Sequence, residues 1–144
     1  MKTIIAGSRT FQGINEDALY EFVGEFESKI GEITTVINGL AEGGDEWGGR
    51  YAEANSLKQM HFPAKWKQHG NAAGHIRNSA MAEHAEALMA FWDGKSTGTK
   101  DMVKKALKKK IPVGLYIYFG GNEKGKPYTI LDNPEEIKMF MFGK

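Results

Sequence analysis

Apolar positions along the chain alternate between short unbroken runs and stripes that recur every three or four residues. Thr3 to Ala6 is a run of the first kind, stopped by Gly7, Ser8 and Arg9, and it reads as a buried first strand. Leu19, Phe22, Val23, Phe26 and Ile30 then mark one face of an amphipathic helix, with Asn15 placed to cap it and Gly31 to end it. Ile33 to Asn38 predicts a second buried strand, and Trp47, Tyr51 and Ala54 a helix over about 45–55. Leu57 to Phe62 is a weaker third strand closed by Pro63, followed by a polar loop. Ala73, Ile76, Ala80, Met81 and His84 mark the next helix, and Ala87 to Trp92 has the unbroken apolar character of a central strand. A helix over 99–110, with Met102, Val103, Ala106 and Leu107 inward, leads past Pro112 into a fifth strand through Tyr118. Beyond Gly120 and Gly121 the pattern weakens to an edge strand over 128–131 and a short helix over 134–142. Met139, Phe140, Met141 and Phe142 of that last helix are apolar enough to dock on the sheet or to form a subunit contact.

Strands that alternate with helices predict an α/β domain: a parallel sheet of about five strands in the order 3-2-1-4-5, with helices on both faces. At 144 residues the chain is one domain, with its core over about 1–118 and a C-terminal extension over 119–144. In such a sheet ligands bind beyond the carboxyl ends of the strands where strand order reverses, here between the first and fourth strands.

Composition changes this picture in one respect. Glycine accounts for 18 of 144 residues, well above the average usage of about 7%, and many of these glycines stand at predicted strand ends. Gly7 and Ser8, with Arg9, follow the first strand; Gly39, Gly43 and Gly44 follow the second, with Glu42, Asp45 and Glu46 among them. The fourth strand runs into Asp93, Gly94, Lys95, Ser96, Thr97, Gly98 and Thr99 and then a helix. Glycine-rich turns that open a helix expose unpaired N–H groups at the positive end of the helix dipole, and small hydroxyl side chains add donors. Arg77 and Asn78 follow the glycine-marked segment from Gly70 to Gly74, and an arginine offers phosphate a planar two-pronged contact. Gly94, Lys95 and Ser96 do not make a Walker A motif, because Met89 stands where its first glycine is needed.

Charge and residue counts narrow the function classes. Nineteen basic against 18 acidic residues give +1 overall, so an anion site has to be local and no global field recruits nucleic acid. Zero cysteines exclude disulfides, thiolate zinc sites and cysteine nucleophiles, and the four histidines lack a metal-binding spacing, so no metal and no cofactor are expected. The apolar runs are too short to span a membrane, and three apolar residues before Gly7 are too few for a secretory leader, which together predict a cytoplasmic protein. The lysine run over 100–110 reads as a solvated helix face. Trp66 is a candidate for stacking on a base; Trp92 is core or a second such platform.

Taken in order, these residues resemble the YspA-like branch of the SLOG superfamily, a Rossmann-type group that also holds the LOG cytokinin-activating enzymes and the DprA/Smf DNA-processing proteins. The resemblance runs from Ile4 to about Val113. It rests on Ala6, Gly7, Ser8, Arg9 and Phe11; on Gly39, Ala41, Gly43 and Asp45, with Tyr51 and Ala52; and on Phe62, Pro63, Ala64 and Trp66. It continues through Gly70, Ala73, Gly74, Arg77, Asn78 and Met81 to Trp92, Gly94, Ser96, Gly98, Thr99, Met102 and Ala106. It implies a nucleotide or nucleotide-derived ligand, with the loop from Gly94 to Thr99 on phosphate and Arg77 nearby; separately, the protein is expected to form a homo-oligomer, at least a dimer. LOG-type phosphoribohydrolases place a catalytic glutamate three residues after the threonine, where this chain has Met102. Cleavage of an N-glycosidic bond would then fall to Glu42, Asp45 or Glu46. The expectation is a nucleotide-binding sensor or sequestering protein, with N-glycosidic hydrolysis second and DprA-like DNA binding third.

Overall fold

A computed structural model of the chain describes residues 1–8, 16–40, 44–117 and 129–143. Along it run β1 (Lys2–Gly7), α1 (Glu16–Lys29), β2 (Thr35–Asn38), α2 (Gly44–Ala54), β3 (Lys58–His61), the single turn α3 (Trp66–His69) and α4 (Ala73–His84). These are followed by β4 (Ala87–Trp92), α5 (Thr97–Lys108), β5 (Val113–Ile117), β6 (Thr129–Leu131) and α6 (Pro134–Phe142). The strands form one sheet in the order β3-β2-β1-β4-β5-β6. The expected order of five parallel strands is present, and β6 extends it by pairing antiparallel with β5. The helix cap expected at Asn15, the end of the fifth strand at Tyr118 and the start of the edge strand at Tyr128 lie outside the described residues.

Because successive side chains of a strand point to opposite faces, β1 and β4 each feed two cores. Ile5, Met89 and Phe91 pack with Phe22, Val23 and Phe26 of α1 and with Trp47 and Tyr51 of α2. Ile4, Ala6, Leu88, Ala90 and Trp92 pack on the other face with Met81 of α4, with Met102, Val103 and Ala106 of α5, and with Ile137 and Met141 of α6. Burying one such side chain fully is worth about 1.5–3 kcal/mol, which fixes the register of the central strands. Rings of Phe22, Phe91 and Tyr116 meet at centroid distances of 5.0–5.7 Å. Trp92 is core: it is buried, and its indole N–H donates to the carbonyl of Ser96 at 3.1 Å.

The terminal helix follows from its sequence. Asn133 Oδ1 accepts the N–H groups of Glu135 and Glu136, Pro134 starts the helix, and Gly143 ends it in the left-handed region. Of its apolar residues Ile137 and Met141 dock on the sheet, whereas Met139 and Phe140 are exposed. The segment expected as a plain loop after β3 holds α3 and a 3-10 turn over Gly70–Ala72. No helix among the described residues is long and apolar enough to cross a membrane.

Candidate functional site

The paired strands β1 and β4 have their next strands, β2 and β5, on opposite sides, and a cleft of about 880 Å³ opens beyond their carboxyl ends. Its lining draws on every loop singled out in the sequence: Gly7 after β1, Gly39 and Leu40 after β2, Trp66 of α3, Arg77 and Asn78 of α4, and Asp93 and residues 95–99 after β4. Arg9, Glu42 and Gly43 lie outside the described residues.

Most of the glycines here have a reason inside the protein. Gly7 and Gly44 lie back to back: a Cβ on Gly44 would come 2.5 Å from the Cα of Gly7, and one on Gly7 would meet Phe91 O at 2.7 Å. A Cβ on Gly39 would collide with the Arg77 guanidinium, which lies across it and donates from Nη1 to the Gly39 carbonyl at 2.9 Å. Gly94 takes φ +85°, a turn conformation that L side chains rarely adopt. Gly98 differs from all of these, since a Cβ there would meet nothing within 4 Å.

Asp45, at the start of α2, is 5% exposed. Its Oδ1 accepts from Gly7 N–H at 3.2 Å and its Oδ2 from Gly39 N–H at 2.8 Å, so one carboxylate ties the ends of β1 and β2 to the N-terminus of α2. Glu46 is exposed and stands outside the cleft lining. Ser8 is buried under the floor: its N–H donates to Phe91 O at 2.9 Å, and its Oγ accepts from Asp93 N–H at 3.1 Å. Thus Ser8 and Asp45 build the site's floor.

The loop after β4 is organised by its own side chains. Asp93 Oδ1 accepts the N–H groups of Lys95 and Ser96 at 2.9 and 2.8 Å. Ser96 caps α5, its Oγ accepting from the N–H and the hydroxyl of Thr99 at 3.3 and 3.1 Å. That leaves the first-turn amides of Thr97 and Gly98, which a helix cannot satisfy internally, at the exposed mouth of the turn. Met102 is buried in the cleft wall, so the position of the LOG-type glutamate presents a thioether and not a carboxylate.

A polar network between α4 and α5, of which the sequence singled out Asn78 but not its partners, backs this part of the cleft. Asn78 donates from Nδ2 to Asp101 Oδ2 at 2.9 Å and to the Gly98 carbonyl at 3.3 Å, and accepts from Arg77 Nε at 3.0 Å. Lys105 Nζ and His75 Nδ1 reach Asp101 Oδ1 at 2.5 and 3.0 Å. Burial pushes the Asp101 carboxyl up, but hydrogen bonds from Lys105, Asn78 and His75 together hold it below the ordinary carboxylate range. A group whose folded value is lowered contributes stability that is present above its unfolded value, about 3.9, and is lost as pH falls through the folded value. Asp101→Asn is therefore expected to cost about 1 kcal/mol at neutral pH, the low figure reflecting solvent screening of its partners. Acid unfolding curves check this: the gap to the unaltered protein should narrow as pH falls below the ordinary carboxylate range. The lysine face of α5 is partly consumed by such pairs, Lys105 with Asp101 and Lys109 with Glu83, whereas Lys104 and Lys108 are solvent-exposed.

Strand order, parallel register and a cleft at the switch point make this a Rossmann-like α/β protein. The chain is similar to the Gene 61 protein of Mycobacterium phage D29, with 29% identity over 119 residues, an alignment that takes in 78% of this chain and 93% of that one. No family model matches the sequence, and no solved structure matches it.

Proposed function

We propose that the chain binds a nucleotide or nucleotide-derived phosphorylated ligand in this cleft, as a sensor or sequestering protein of the YspA-like branch of the SLOG superfamily. The observation that carries this reading is the first turn of α5, where Thr97 and Gly98 are exposed and line the cleft together with Arg77. An anion there gains about 0.3–1 kcal/mol from the helix dipole, up to about 2 when partly buried. Arg77 commits Nε and one Nη1 hydrogen to Asn78 and Gly39, which leaves its Nη2 edge for a ligand and adds about 1.5–3 kcal/mol per charge-assisted bond. Because Asp93 already takes the amides of Lys95 and Ser96 and is itself an anion, phosphate belongs at Thr97 and Gly98, not along the whole loop from Gly94. Trp66, 53% exposed, lines the same cleft with the apolar Leu40 and Pro63, where a base can stack for about 1–3 kcal/mol.

Hydrolysis of an N-glycosidic bond has no comparable support. Both oxygens of Asp45 accept backbone N–H groups, and Glu46 stands outside the cleft. Gly98→Ala combined with calorimetry tests the binding reading. The added methyl has room, so stability is expected to stay within about 0.5 kcal/mol of the unaltered protein. Affinity for nucleoside mono- and diphosphates or ADP-ribose should fall about tenfold, because the methyl enters the phosphate's approach to the two amides. No binding of any of these compounds by the unaltered protein would sink the reading.

A further inference from the structure

We propose that His75 is a further ligand-contacting residue of the cleft, its imidazolium pairing with the phosphate of the bound ligand while Asp101 holds the ring from behind. This rests on the reading of the cleft as a phosphate site. His75 lines the cleft in the first turn of α4, two residues before Arg77. Its side chain is 64% exposed, so the ring does not fill the core, yet Nδ1 is fixed 3.0 Å from Asp101 Oδ1.

An ionised carboxylate only accepts hydrogen bonds, so Nδ1 carries the proton. The outward nitrogen is then Nε2, an acceptor in the neutral ring and a donor in the protonated one. The Asp101 carboxylate is itself 14% exposed and is shared with Lys105 Nζ at 2.5 Å and Asn78 Nδ2 at 2.9 Å. The charges of Asp101 and Lys105 cancel, so protonation of His75 gives the cluster a net positive charge instead of being neutralised by the carboxylate. Asn78 links the cluster to the Gly98 carbonyl and to Arg77, so one network sets the histidine, the arginine and the anion-facing turn on the same wall. The other charged or titratable groups on elements packed against α4 are Lys100, Lys104 and Lys108 of α5, Lys67 and His69 of α3 and Lys2 of β1; α4 itself carries Arg77, Glu83 and His84, and Asp45, Asp93 and Lys95 also line the cleft. The cleft carboxylates are engaged by backbone, Asp45 by the N–H groups of Gly7 and Gly39 and Asp93 by those of Lys95 and Ser96, so the side-chain charges offered to a ligand beside His75 are those of Arg77 and Lys95, which favour an anion.

The test is calorimetry with ADP-ribose, whose diphosphate keeps its charge, at about pH 5.5 and about pH 8.5. The unaltered protein is expected to bind about fivefold to tenfold more tightly at the lower pH. His75→Gln should bind with the same affinity at both, and His75→Lys, a permanent cation, should bind at both as tightly as the unaltered protein does at the lower. Since the side chain is exposed, neither substitution threatens the fold, which a thermal melt verifies. Binding by the unaltered protein without pH dependence, or a His75→Gln variant that keeps the full dependence, overturns the role of His75 and leaves the phosphate site standing. Absence of binding at both pH values overturns the two together.

Discussion

Gly7→Ala is expected to destabilise the protein by about 2–3 kcal/mol, lowering Tm by roughly 6–10 °C. The new Cβ would lie 2.7 Å from Phe91 O, 2.8 Å from Phe91 Cβ and 3.1 Å from the Cα of Gly44. The carbonyl and the Cα belong to backbone that cannot turn aside, and Phe91 is locked between Phe22, Trp47 and Tyr116. Relief requires β1 to move away from β4 and α2, at the point where the cleft floor is built. Thermal or denaturant unfolding reads the effect. A Tm within about 2 °C of the unaltered protein would mean that Gly7 and Gly44 are not in contact, and that their glycines serve a ligand after all.

Asp45→Ala is expected to cost about 2–4 kcal/mol, because it strips the acceptor from two backbone N–H groups, those of Gly7 and Gly39, beneath a side chain that is itself buried. Asp45→Asn should recover only part of that loss, since one of its two terminal atoms becomes a donor facing a donor. Stability measured for the pair separates two roles that the sequence left open. A group that only reacts with substrate can be replaced by its amide without loss of stability, whereas a clamp between strand ends cannot. Unchanged unfolding of Asp45→Asn would therefore contradict the structural role given to it here.

Residues whose environment is set by their own neighbours in sequence were readable in advance. The unbroken run Ala87 to Trp92 and the stripe from Phe22 to Phe26 place β4 and α1 because burial on both faces or on one face leaves a different period. By contrast α3 is a single turn of four residues with no buried side chain, too short to show any period. The glycines show the limit most clearly. Their placement at strand ends located the cleft, but sequence could not tell a glycine pressed against another backbone, as at Gly7 and Gly44, from one left open at the cleft, as at Gly98. The network of His75, Asn78, Asp101 and Lys105 was missed for a related reason. His75 and Asn78 share a face of α4, and Asp101 and Lys105 a face of α5, but which faces meet is decided by how both helices lie on the sheet.

Whether phosphate sits on the first turn of α5 is tested most directly by backbone amide NMR during a titration with ADP-ribose. The expected result is a saturable shift of the Thr97 and Gly98 amides together with the Trp66 indole N–H, all of which line one cleft. Shifts confined to Lys104 and Lys108 on the outer face of α5, with Thr97 and Gly98 silent, would contradict it.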